Sequence, residues 1–126
     1  MLSKFRITTF LGLAVAIGAL AAASALGTTT KRIDSKVTLS ANNAFHGRVI
    51  SPNHACEVQR KVKVFNKKPG PDDLFDKTTT NGHGKWSIPA SPNGRFYAKV
   101  VRRKEGAAGT IFVCRPDVSP VRHFGS

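Results

Sequence analysis

Acidic side chains are scarce in this chain of 126 residues: seven Asp and Glu stand against 20 Lys and Arg, for a formal net charge of +13. So one-sided a balance favours association with polyanions, and it equally suits a well-solvated surface that keeps a protein soluble. Helical apolar periodicity is missing beyond the first 25 residues, which leaves no basis for a helical bundle. No G-x-S-x-G turn occurs and no serine is tied by spacing to a histidine and an acid, so serine nucleophile chemistry has no support. The two cysteines are not spaced as CxxC, which argues against a thiolate metal site. The histidines, His46, His54, His83 and His123, show neither the i, i+2 strand spacing nor the i, i+4 helical spacing that would converge on one ion. Asp72, Asp73 and Asp76 lack the spaced ligands and closing glutamate of a calcium loop and read as a solvated turn. From these absences the sequence predicts no catalytic residue, no metal and no cofactor.

What is present begins at the N-terminus. Lys4 and Arg6 precede an apolar run from Phe10 to about Leu20, and small residues fill Ala21 to Ala25. This three-part pattern is that of a secretory signal peptide over residues 1–25, with cleavage after Ala25 or Ala23. No cysteine lies nearby for lipid attachment, and no twin-Arg pair is present. The competing reading is an uncleaved anchor, because Ile7 to Thr30 holds no charge and is long enough to cross a bilayer. Only in that case is a membrane a partner. Cleavage would remove just Lys4 and Arg6 from the basic residues, so the exported chain stays strongly basic. The expectation is a secreted or cell-surface protein, with a flexible leader over residues 26–35 and one domain over residues 36–126.

Both cysteines, Cys56 and Cys114, fall in the exported part, where an even count reads as a disulfide. The bridge would close a loop of roughly 58 residues, for which the chain-entropy argument gives about 4 kcal/mol. A domain of this size has little stability to spare, so such a staple matters.

From Lys36 onward, short alternating runs are cut by Gly, Pro, Asn and Asp, the pattern of an all-β chain. Strands are expected over Lys36 to Ser40, Phe45 to Ser51, Arg60 to Phe65, Leu74 to Thr80, Lys85 to Pro89, Arg95 to Arg103 and Thr110 to Arg115. An edge strand, limited by Pro120, is expected within Val118 to Phe124. Asn81-Gly82-His83-Gly84 signals a tight hairpin. Trp86 is in phase with Ile88, and Phe96 with Ala98 and Val100, which marks them as core, while Tyr97 falls on the opposite face with Lys99. Six or seven strands with turns every eight to twelve residues suit a single two-sheet sandwich.

The order Phe45-His46-Gly47-Arg48-Val49, Lys61-Val62-Lys63-Val64, Thr80-Asn81-Gly82-His83-Gly84-Lys85-Trp86 and Gly94-Arg95-Phe96-Tyr97-Ala98-Lys99-Val100 resembles the prealbumin-like domains. These include transthyretin-like proteins and the regulatory domain appended to some carboxypeptidases. The resemblance spans roughly residues 44 to 119 and implies a prealbumin-like sandwich. Its motifs are turns and apolar plugs, informative about fold more than activity. The same superfamily holds 5-hydroxyisourate hydrolases, and the end of the chain, Val121-Arg122-His123-Phe124-Gly125-Ser126, is faintly similar to their Tyr-Arg-Gly-Ser terminus. Their early His-Val-Leu-Asp segment is absent, and the final Arg is not adjacent to Gly.

The functional expectation is therefore a secreted, non-enzymatic module that binds anionic cell-wall or extracellular polymers. The alternatives are a small hydrolase of the transthyretin-related type and a membrane-anchored surface domain. No base-reading motif is present, so specific nucleic-acid recognition is not expected. The candidate polyanion site is Lys61 and Lys63 on one strand with Tyr97, Lys99 and Arg103 on the longest one. If the two rows share a sheet they form one basic face; on opposite sheets the charge is diffuse and only aids solubility.

Overall fold

The computed structural model describes residues 27–107 and 109–125; the expected signal peptide over residues 1–25 lies outside them. Alternation of apolar and polar side chains produces the four strands that carry most of the core, β4, β5, β7 and β8 as numbered below, each with one dry and one wet face. In chain order they are β1 (Thr29–Ile33), β2 (Lys36–Val37), β3 (Ser40–Ala41), β4 (Ala44–Ile50), β5 (Lys61–Asn66), β6 (Asp73–Thr79), β7 (Lys85–Pro89), β8 (Gly94–Val100), β9 (Arg103–Ala107), β10 (Thr110–Cys114), β11 (Asp117–Val118) and β12 (Arg122–Phe124). One short 3-10 turn, His54–Cys56, is the sole helical element among the described residues. The all-β expectation holds.

Two sheets face each other across the core. In the first, β4 is central: β2 and β3 pair with its two ends, and β7 pairs with it from Ala44 to Arg48. In the second, the order is β11, β8, β5, β6, with β12 also pairing with β8. Val37, Leu39, Phe45, Val49, Trp86 and Ile88 from the first sheet pack on Val62, Val64, Phe96, Ala98 and Val100 from the second. Phe45 is the hub, with ring centroids 4.8 Å from Phe96, 5.4 Å from Phe75 and 5.7 Å from Phe124. Along one edge, Asp117 on β11 accepts a 2.9 Å hydrogen bond from the Val37 amide on β2 and so ties the sheets together.

A third sheet, in the order β1, β10, β9, lies beside this pair and departs from the expected two-sheet count. Residues 29–33, placed by the sequence in a leader, pair in parallel along β10 from Thr29 opposite Thr110 to Ile33 opposite Cys114. Four of those five residues are exposed, so their pattern carries no strand signal. Backbone bonding to β10 makes the strand, and only the folded chain presents β10.

The expected strand from Arg95 to Arg103 is also two strands. Its partner β5 begins at Lys61, whose carbonyl takes the Val101 amide at 2.9 Å. Past that bond no partner remains in the second sheet, and β9 pairs instead with β10, held by the disulfide. That bridge, Cys56–Cys114, has its α-carbons 5.4 Å apart, and both residues are buried. The turn at Asn81–Gly84 is tight as expected, but it is not a hairpin, since β6 pairs with β5 and β7 with β4. The Gly84 carbonyl accepts the Val49 amide at 2.8 Å and draws the returning strand onto the other sheet.

Candidate functional site

The outward residues of the second sheet are set by the inward ones. Val62 and Val64 are buried, so Lys61, Lys63 and Phe65 project from the other side of β5. On β8, buried Phe96, Ala98 and Val100 leave Arg95, Tyr97 and Lys99 outward. The two strands are antiparallel neighbours, with Lys63 directly opposite Lys99 and Phe65 opposite Tyr97. The two basic rows thus share one face.

On the other side of β5, Lys63 is directly opposite Lys77 of β6. Three lysines therefore form one transverse row, Lys77, Lys63, Lys99, with Lys61 next along β5. Directly opposed like charges in a sheet are destabilising, and the separation of facing β-carbons is only about 4.5 to 5.5 Å. None of these four lysines makes an ion pair with a carboxylate among the described residues. Lys77 is missed by the sequence reading because the strand Asp73–Thr79 carries polar residues in both phases and is exposed along most of its length.

Tyr97 lies on this face but is not a free platform. Its hydroxyl donates a 2.7 Å hydrogen bond to Asp72 Oδ2, and its ring stacks on Phe65 with centroids 5.3 Å apart and 16° between planes. The hydrogen bond from Tyr97, followed by that from the Lys68 amide, holds the Asp72 carboxyl below its ordinary range. The same bond, with burial second, pushes the phenol above its usual value. Around Tyr97 is a shallow depression of about 340 Å³, walled by Lys67 and Lys99 and by the exposed apolar side chains of Val118 and Val121.

Arg103 does not join the face. It opens β9 in the third sheet, and its guanidinium donates to the carbonyls of Val58 at 2.7 Å and Gln59 at 3.0 Å, and to that of Ala55. Its planar fork is spent on the backbone around the 3-10 turn, where Gln59 sits at φ 51°. The expected alternation from Lys99 to Arg103 fails because the strand ends between them.

Arg60 is a buried arginine that the sequence reading did not single out. It is fully buried and, among the described residues, has no carboxylate partner; its guanidinium donates to Ser35 Oγ and to the carbonyls of Cys56, Val101 and Arg115. Burial first, then the nearby charge of Arg103, lowers its pKa to about 10. It is a structural joint between the disulfide turn, the end of β8 and the end of β10. All four histidines, His46, His54, His83 and His123, are exposed.

Compared with known protein families, with characterised proteins and with solved structures, the chain shows no significant match.

Proposed function

We propose that the protein is a secreted, non-enzymatic binding module that holds an acidic cell-wall or extracellular polymer across the lysine face of β6, β5 and β8. The observation that carries this reading is the position of Lys63, directly opposite both Lys77 and Lys99. Three unpaired ammonium groups in one row cost the isolated domain stability, and a polymer of negative charges relieves that cost while releasing its own counterions. Strands about 4.8 Å apart set the charges at short regular steps, suited to a chain with closely repeated anionic groups. A charge that served solubility alone would have no need to converge on one face. Export is supported by the N-terminal pattern and by the Cys56–Cys114 bridge, which is at home in an oxidising compartment. The prealbumin-like topology belongs to the same proposal, supported by the run from Thr80 to Trp86 and by the strand from Gly94 to Val100.

Binding to immobilised heparin and to teichoic acid at low and physiological salt tests the reading. Affinity is expected to fall steeply as salt rises, and the slope to shrink when Lys61, Lys63, Lys77 and Lys99 become Gln. Retention unchanged in the fourfold variant would leave the lysine face without a role.

A further inference from the structure

A depression of about 680 Å³ is built on the first sheet, where β4 and β7 meet the end of β6. Its volume is that of a small-ligand pocket. No carboxylate lines it. Arg48 on β4 lies directly opposite Lys85 on β7, and His46 is opposite Ser87. Buried Phe45, Val49, Trp86 and Ile88 alternate with these residues, so Arg48 and Lys85 share the outward face. Neither cation makes an ion pair among the described residues. The Glu57 carboxyl is engaged by the Ser51 amide and by His54, which lower its pKa most, with Arg48 contributing least.

Further donors surround this like-charged pair. Asn81 Oδ1 already accepts the amides of His83 and Lys85 at 2.9 and 3.1 Å, which leaves its NH2 to donate. Thr78, Thr79 and Ser87 line the same space. Trp86 borders it too, with its buried ring packed on the core side of β7. At Gly47 a Cβ would lie 1.9 Å from the Thr38 carbonyl oxygen, so this lining position is bare backbone of necessity.

We propose that the depression is a second binding site, distinct from the lysine face, for a single sugar unit bearing a phosphate, sulfate or carboxylate. Arg48 and Lys85 take the anionic group, a charge-assisted contact stronger than a neutral one. Asn81 and Ser87 serve the ring oxygens. A bare oxyanion would occupy only the cationic pair and leave the other donors and most of the volume unused.

The chain has one tryptophan, and it borders this depression, so its fluorescence is a probe of the site. The exported protein is titrated with glucose 6-phosphate, glucuronate, glucose and inorganic phosphate at matched ionic strength. A saturable change is expected with the phosphorylated sugar or the uronate, and which of the two binds tighter identifies the anionic group. Arg48→Gln and Lys85→Gln should each weaken it about tenfold or more. Both residues are exposed, so near-UV circular dichroism should show an unchanged fold. Lys63→Gln and Lys99→Gln should leave it intact, which separates this site from heparin retention. Phosphate binding as tightly as the sugar phosphate would overturn the sugar assignment. No binding of either charged sugar by fluorescence or calorimetry, or full binding in both variants, would overturn the site.

Discussion

The guanidinium of Arg60 donates a 2.6 Å hydrogen bond to the carbonyl of Cys56, fastening a fully buried cation to the half-cystine four residues before it. The same group reaches the carbonyls of Val101 and Arg115 at 2.9 and 3.1 Å, so one side chain closes the junction where the third sheet meets the other two. Arg60→Met keeps the apolar stem but strands these acceptors in a buried site. It should destabilise the domain by about 3 kcal/mol or more in urea denaturation. Arg60→Lys restores only part of that, because an ammonium cannot reproduce the planar fork. A loss under 1 kcal/mol for the Met variant would mean the carbonyls find other partners.

The disulfide is the second fastening of the same junction. Replacing Cys56 and Cys114 together by Ser should cost about 2 to 5 kcal/mol. Because Arg60 bonds to the Cys56 carbonyl, this loss and that of Arg60→Met should not add; a double-mutant cycle measures the coupling. Strict additivity would show the two fastenings to be independent.

Gly47 tolerates no side chain, since a Cβ would meet the Thr38 carbonyl oxygen at 1.9 Å and Trp86 Cε2 at 3.0 Å. Gly47→Ala should lower stability by about 3 kcal/mol or more through forced backbone movement. Gly82, with nothing within 4 Å of the same position, is the control. Equal melting temperatures for the two variants would contradict the close approach of Thr38 to β4.

The hydrogen bond from Tyr97 to Asp72 makes a pH window. It lowers the Asp72 pKa, so its stabilisation is present above the ordinary carboxylate value of 3.8 and lost as pH falls through the folded value. It raises the Tyr97 pKa, so the contribution is present below 10.0 and lost as pH rises through the folded value. Tyr97 is the single tyrosine of the chain, and ultraviolet difference titration therefore reads it directly. The midpoint should lie above 10.0 and fall back towards it in Asp72→Asn; a midpoint at or below 10.0 in the native chain would refute the bond.

Lys63 should carry opposite effects on stability and binding. Removing it relieves repulsion from Lys77 and Lys99, so Lys63→Gln should raise stability at low salt by a few tenths to about 1 kcal/mol, with the gain fading as salt screens the row. Heparin retention should fall in the same variant. Thermal melts at two ionic strengths beside the binding assay decide it, and a variant that loses stability at low salt would count against the crowded row.

Much of the fold was legible because strand alternation is a local property. Val62 and Val64 against Lys61 and Lys63, or Trp86 and Ile88 against Lys85 and Ser87, declare the buried face without reference to the rest of the chain. The disulfide was legible for a different reason: two cysteines leave one pairing. The ends of strands were not, because a strand stops where its neighbour stops. Arg103 left the candidate site when β8 outran β5, and its guanidinium went to the carbonyls of Ala55, Val58 and Gln59.

The sequence by itself determined the all-β character, the dry and wet phase of each well-patterned strand, the positive charge and the cysteine pair. The tertiary structure alone decided which strands are neighbours. Hydrogen bonding between strands joins residues remote in the chain and is indifferent to side-chain identity, so no local pattern records it. That decision put Lys77, Lys63 and Lys99 in one row and Arg48 opposite Lys85, turned residues 29–33 into a strand along β10, and sent the chain after Gly84 to the other sheet. Charge is written in the composition; where it converges is set by register.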